Sequence, residues 1–127
     1  MTHEDYVSFE QAKALKTLGF DWECYQFYNG DKKLWSYTSI GYGDDCRNWN
    51  DEYNAAIGGS ECSAPTLAQA AKWLREVKQI IIIPCVMYKE GVMKYDFYIV
   101  DEPIDLLDSK GFDTYEEALS AGIDKTL

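Results

Sequence analysis

Histidine is almost missing from this chain of 127 residues: His3, next to the N-terminus, is the only one. With no second imidazole, no Ser or Cys has the usual activating base nearby, and nucleophilic catalysis has little to build on. Arginine is nearly as scarce, with Arg47 and Arg75 alone, so few planar cations are available to clamp a phosphate. Cations are outnumbered throughout, 12 Lys and Arg against 22 Asp and Glu, for a net charge of −10. Residues 95–127 hold nine acids against Lys110 and Lys125 and carry −7 of that total. Such a balance repels nucleic-acid backbones and anionic lipid surfaces, and it predicts neither direct nucleic-acid binding nor membrane binding. No run approaches the roughly 20 apolar residues of a membrane helix. The opening Met-Thr-His-Glu-Asp lacks the basic and apolar regions of a signal peptide. These absences predict a cytoplasmic protein whose thiols stay reduced.

Close cysteine pairs are absent too. Cys24, Cys46, Cys62 and Cys85 are separated by 22, 16 and 23 positions, whereas a structural zinc knuckle needs two ligands a few residues apart. Gly41-Tyr42-Gly43 lacks the third glycine and the Lys-Ser/Thr ending of a phosphate loop, and Asp44-Asp45 would repel the anion. Asp44, Asp45, Asn48, Asn50 and Asp51 offer oxygens without the register of an EF-hand. Carboxylates are abundant, but abundance alone marks a solvated face. The sequence therefore assigns no catalytic, cofactor-binding or metal-binding residue.

What is present is aromatic. Phe, Trp and Tyr make up 15% of the chain, with ten tyrosines and four tryptophans, side chains suited to sheets and interfaces. Three capping boxes punctuate it: Ser8…Gln11, Thr66…Gln69 and Thr114…Glu117. In each a hydroxyl accepts from the third helical N–H, and a Gln or Glu reaches back to the cap. They predict helices over Phe9–Leu18, Leu67–Lys78 and 114–125. The first turns Phe9, Ala12, Leu15 and Leu18 inward and stops at Gly19 in the left-handed region. The second carries an apolar stripe of Leu67, Ala70, Ala71, Leu74 and Val77 with Trp73 at its border. The third buries Ala118, Leu119, Gly122 and Ile123.

Between the helices lie four predicted strands. Trp22–Tyr28 and Lys33–Tyr42 form a hairpin around Asn29-Gly30, where both residues tolerate positive φ. Gln79–Tyr88 and Val92–Asp101 form another around Lys89-Glu90-Gly91. The Ile80–Ile83 run reads as a central or doubly covered strand, and Pro84 as a bulge or a lapse in pairing. Residues 43–65 read as an irregular loop, with a short helical turn over Glu52–Ile57. The order α-β-β-α-β-β-α predicts a single α+β domain over 1–127, with one four-stranded antiparallel sheet and helices on one face. It also suggests a weak αββ pseudo-repeat, 7–42 and 65–101.

Ser63–Lys78 and Gly111–Ile123, together with Val7–Asp21, resemble small proteins of Bacteroidota genomes, prophages and phages. The resemblance covers the three helices and brings no activity and no functional residue. It implies a phage or mobile-element context inside a bacterial host, where small non-enzymatic proteins often bind and block a host component.

The leading expectation is a non-catalytic protein that binds a host or phage protein through an aromatic sheet face, with Tyr25, Phe27, Trp35 and Tyr37, or through the 43–65 loop with Trp49. An alternative is a small-ligand binder, for instance an anti-defence sponge that stacks a nucleotide signal on those aromatics, at a homodimer interface if one forms. Another is an acidic DNA mimic, which needs carboxylates spaced like phosphates along one face.

Overall fold

Ser8 opens the first helix as its pattern requires. Its Oγ accepts from the Gln11 N–H, and the Gln11 side chain accepts from the Ser8 N–H at 2.8 Å. Helix α1 runs Phe9–Leu18, and Gly19 closes it at φ 97°. The Gly19 and Phe20 N–H groups return to the Lys16 and Leu15 carbonyls, the double closure that a left-handed residue permits. Ala12 and Leu15 are buried, together with the capping Gln11, whereas Leu18, the last residue of the helix, is exposed.

The computed structural model describes residues 5–36, 47–51, 61–101 and 111–127. The chain divides into two compact units, Met1–Thr66 and Leu67–Leu127. In the first, α1 is followed by β1 (Gln26–Tyr28), β2 (Leu34–Ser36) and β3 (Cys62–Ser63). In the second, α2 (Leu67–Val77) is followed by β4 (Ile82–Lys89), β5 (Val92–Ile99) and α3 (Tyr115–Thr126). Among the described residues the fold is α+β with antiparallel pairing, and the element order gains a strand: α-β-β-β-α-β-β-α.

The four predicted strands do not join into one sheet. They form a three-stranded sheet in the order β2-β1-β3 and a separate two-stranded sheet β4-β5. The reason lies in the edges. β1 and β2 are only three residues long, and the free side of β1 is taken by Cys62-Ser63, which pair with Tyr28 and Phe27. In the second unit, Phe112 bridges the outer side of β5 by exchanging two backbone hydrogen bonds with Tyr95. β1 therefore has no side left for a further strand, and the outer side of β5 is taken at Tyr95.

The first hairpin turns differently from its Asn-Gly signal. Lys32, not Asn29 or Gly30, takes the positive φ, 63°. Asn29 Oδ1 accepts from the N–H groups of Asp31 and Lys33, and the Asn29 carbonyl accepts from the Lys32 N–H. This is a three-residue loop ending in one left-handed residue, the common alternative to the two-residue turn. The second hairpin does use a two-residue turn: Lys89 pairs with Val92, with Glu90 at φ 53° and Gly91 at φ 78°.

Pro84 causes no bulge. It pairs in unbroken register with Phe97. The Val100 N–H donates to the Ile81 carbonyl at 3.0 Å, which makes Ile81, Ile83, Cys85 and Met87 the bonded positions of β4 and leaves Pro84 between them. Its missing N–H faces away from β5, where the ladder asks for no donor. Nor is β4 central: among the described residues its only neighbour is β5, and Ile80–Ile83 are each half-buried.

Helix α2 buries Leu67, Ala70, Trp73 and Leu74. Trp73 therefore lies in the core rather than at the border, and Val77, the last helical residue, is exposed. The chain leaves α2 through Gln79 at φ 59°. Helix α3 buries Ala118, Leu119, Gly122 and Ile123 as its spacing predicts, after Thr114 Oγ1 accepts from the Glu117 N–H. It packs on both strands of the hairpin and against α2. At Gly122 it comes so close that an added Cβ would lie 2.5 Å from Ile82 Cγ2.

Candidate functional site

The aromatic residues singled out by the sequence do not share a surface. Phe27 and Trp49 are both fully buried, with ring centroids 4.2 Å apart, so neither can anchor a partner. Residues 47–51 close the first unit rather than loop out of it. Arg47 and Cys24 exchange backbone hydrogen bonds, and Trp49 Nε1 donates to the Cys24 carbonyl at 2.7 Å. The Trp49 N–H donates to Ser63 Oγ. Asn50 spans the same gap, its Nδ2 donating to the Phe20 carbonyl and its Oδ1 accepting from the Ser63 N–H. The polar residues that make the segment read as a loop help it pack inside, because Asn48 Oδ1 accepts from the Asn50 N–H and the Asn50 side chain satisfies main-chain groups of Phe20 and Ser63.

Tyr25 is 57% exposed. It precedes the first strand residue at a bend, so strand alternation does not place it beside Phe27. Trp35 lies across from Phe27 and is half-buried, and its Nε1 is buried with no hydrogen-bond partner. Tyr37, His3, Cys46, the Gly41–Asp45 segment and the Glu52–Ile57 turn lie outside the described residues. Among the described residues no three His, Cys, Asp or Glu side chains gather as metal ligands. Cys24 and Cys62 are buried thiols and Cys85 is half-buried. Burial pushes the Cys62 thiol up, against the pull of Lys16 and Lys13. Burial, and then the Asp96 carboxylate across the ladder, push Cys85 up as well.

Bare apolar surface is found instead on the second unit. Strand alternation puts Ile82, Pro84, Val86 and Tyr88 of β4 on one face with Met93, Tyr95, Phe97 and Ile99 of β5. α3 covers the end of that face nearest Ile82 and Phe97, where Gly122 sits against both. Toward the turn the face is open: Val86 is 54% exposed, Tyr88 73% and Met93 49%. Tyr115, at the start of α3, stands edge-on to Tyr95 and is 48% exposed. Glu90 at the turn and Glu116 and Glu117 beside Tyr115 are exposed acids around these residues. Lys94, on the opposite face, is held by Asp113, whose carboxyl the Lys94 hydrogen bond and charge keep below the usual range.

The opposite face holds one unusual group. Asp96 is 5% exposed. Its Oδ1 accepts from the Phe97 N–H at 2.7 Å, while its Oδ2 has no hydrogen-bond partner.

The sequence contained the signal for the open face, since the alternation of Met93, Tyr95, Phe97 and Ile99 is plain. It could not separate the covered half from the bare half. Both are apolar, and the division depends on where α3 approaches through Gly122. Compared with protein-family models, with curated proteins and with solved structures, the chain gives no match. No helix among the described residues is long and apolar enough to cross a membrane.

Proposed function

We propose that this chain is a non-catalytic binding protein that engages a protein partner through the open half of the β4-β5 face. The observation that carries the reading is the grouping of Val86, Tyr88, Met93 and Tyr115, all exposed, on one side of one hairpin. Scattered surface apolar residues need no explanation, but a contiguous set with two tyrosines and a methionine is the composition of an interface centre. The acids around it, Glu90, Glu116 and Glu117, would favour a partner with a basic rim and speed its encounter. The phage or mobile-element setting in a bacterial host, implied by the resemblance of the helical segments, and the cytoplasmic location expected from the sequence belong to the same proposal. The nucleotide-sponge alternative has less to build on, because Phe27, one of the aromatics on which a base would stack, is closed into the core against Trp49.

The test is capture from the native host with tagged wild-type protein and a Tyr88→Ser/Met93→Ser variant. The expected result is a partner retained by the wild type and lost by the variant, with unchanged circular dichroism. Equal retention by both proteins, or no retained partner at all, would overturn the proposal.

A further inference from the structure

The backbone of β4 has an open edge independent of that side-chain face. The bonded positions of β4 toward β5 are Ile81, Ile83, Cys85, Met87 and Lys89, so Ile82, Pro84, Val86 and Tyr88 direct their main-chain groups outward. Among the described residues nothing bonds to the outward groups of Val86 and Tyr88, and both residues are more than half exposed. The corresponding edge of β5 is already occupied at Tyr95 by Phe112. Soluble proteins usually protect such edges with charges, bulges or proline. Here Pro84 protects one stretch, and Val86-Met87-Tyr88 carries no charge.

We infer that this edge is an interface with a second copy of the same chain, β4 pairing antiparallel with β4 about a two-fold axis through Met87. That register sets Val86 opposite Tyr88 of the second copy, and Tyr88 opposite Val86. Each pair exchanges two N–H···O=C bonds, which uses all the open donors between Pro84 and the turn. Pro84 then faces Glu90 of the second copy, at a turn residue beyond the paired stretch, and its missing donor costs nothing. A longer foreign strand would run on past Pro84 and lose a bond there, so the short edge suits self-pairing better. Charge permits it as well. Lys89 is the one charged residue of β4, and in this register it lies opposite Cys85, so the two lysines stay at opposite ends. The product is a four-stranded antiparallel sheet, β5-β4-β4-β5, assembled from two chains, with Val86–Tyr88 cross-strand contacts of the kind that stabilise sheets.

Sedimentation equilibrium of the full chain tests this, with Val86→Pro as the disrupting variant. Proline should be tolerated at 86 as it is at 84, because both lie at the same phase of the β4-β5 ladder. It removes one donor from each copy and weakens the dimer about tenfold or more, while circular dichroism and thermal midpoint stay near wild type. Met87→Cys provides an independent readout. Residues meeting on the axis at a non-bonded pair have Cα atoms about 4.5 Å apart, within disulfide reach, so mild oxidation should cross-link this variant and not Met93→Cys. A wild type that stays monomeric at its highest soluble concentration would overturn the inference. So would a dimer indifferent to Val86→Pro and not cross-linked through Met87→Cys. Neither result bears on partner capture through Tyr88 and Met93, so the two proposals fail separately.

Discussion

The two halves of this protein treat similar aromatic strands in opposite ways. In the first unit, Phe27 on β1 is covered by Trp49, and the segment that carries Trp49 is tied down through Cys24, Ser63 and Phe20. In the second, Tyr88 and Met93 sit on an equally apolar strand pair, but α3 stops short of them. Composition does not distinguish these strands. The difference is whether a later stretch of chain returns with enough paired polar groups to bury its own backbone. Asn50 meets that condition in the first unit, and no described residue does so over the outer half of the β4-β5 face. Surplus apolar surface of this kind is the fold's clearest indication of a role outside itself.

The contrast breaks most decisively at Trp49. Trp49→Ala removes a fully buried ring, its stacking on Phe27 and its bond to the Cys24 carbonyl. It should cost about 3–5 kcal/mol in a urea titration followed by circular dichroism. A loss near zero would mean that the 47–51 segment is not part of the core.

A smaller effect sharpens the boundary of the open face. Gly122→Ala improves helix propensity, yet its Cβ would meet Ile82 and Phe97. The expected net result is destabilisation of about 1–3 kcal/mol from overpacking. A stabilised variant would show that α3 does not seat on the hairpin at this distance.

Turns should move the balance the other way. Lys32 holds a left-handed conformation that disfavours any residue with a Cβ, by about 1–2 kcal/mol. Lys32→Gly relieves that strain but loses the ammonium near the Phe9 ring. The net expectation is a gain of about 0.5 kcal/mol in the thermal unfolding free energy.

The smallest effect is electrostatic. In the folded chain the Asp113 carboxyl is held below its ordinary value by Lys94. A depressed carboxylate stabilises the fold above its unfolded pKa, and the contribution is lost as pH falls through the folded value. Asp113→Asn should therefore be slightly less stable than wild type at neutral pH, with the difference vanishing in acid. A difference that persists in acid would point to a cause other than charge.

Much of the fold was legible in the sequence because local chemistry decides it. The Ser8–Gln11 box and Gly19 mark both ends of α1, and the Ala118, Leu119, Gly122, Ile123 spacing gives the buried face of α3. What escaped was decided by distant partners. Trp49 sits among Asn48, Asn50 and Asp51 and reads as loop until its hydrogen-bond partners are known. Trp73 is buried in the core although the stripe sets it at the border, while Val77, the last residue of the same helix, is exposed. Pro84 reads as a break until the phase of the ladder shows its nitrogen facing outward. The third strand of the first sheet escaped for the same reason, since Cys62 and Ser63 read as loop until their pairing with Tyr28 and Phe27 is known. Of the candidate site only the aromatic alternation was legible; its proposed placement on the β4-β5 face rests on which side chains later segments leave exposed.

The most direct test of that placement is a urea titration of Tyr88→Ser/Met93→Ser, at a concentration low enough to keep the chain monomeric. If the fold leaves this face bare, the unfolding free energy should stay within about 0.5 kcal/mol of wild type. A loss of several kcal/mol, approaching that of Trp49→Ala, would show that these side chains are packed inside the protein and would contradict the account.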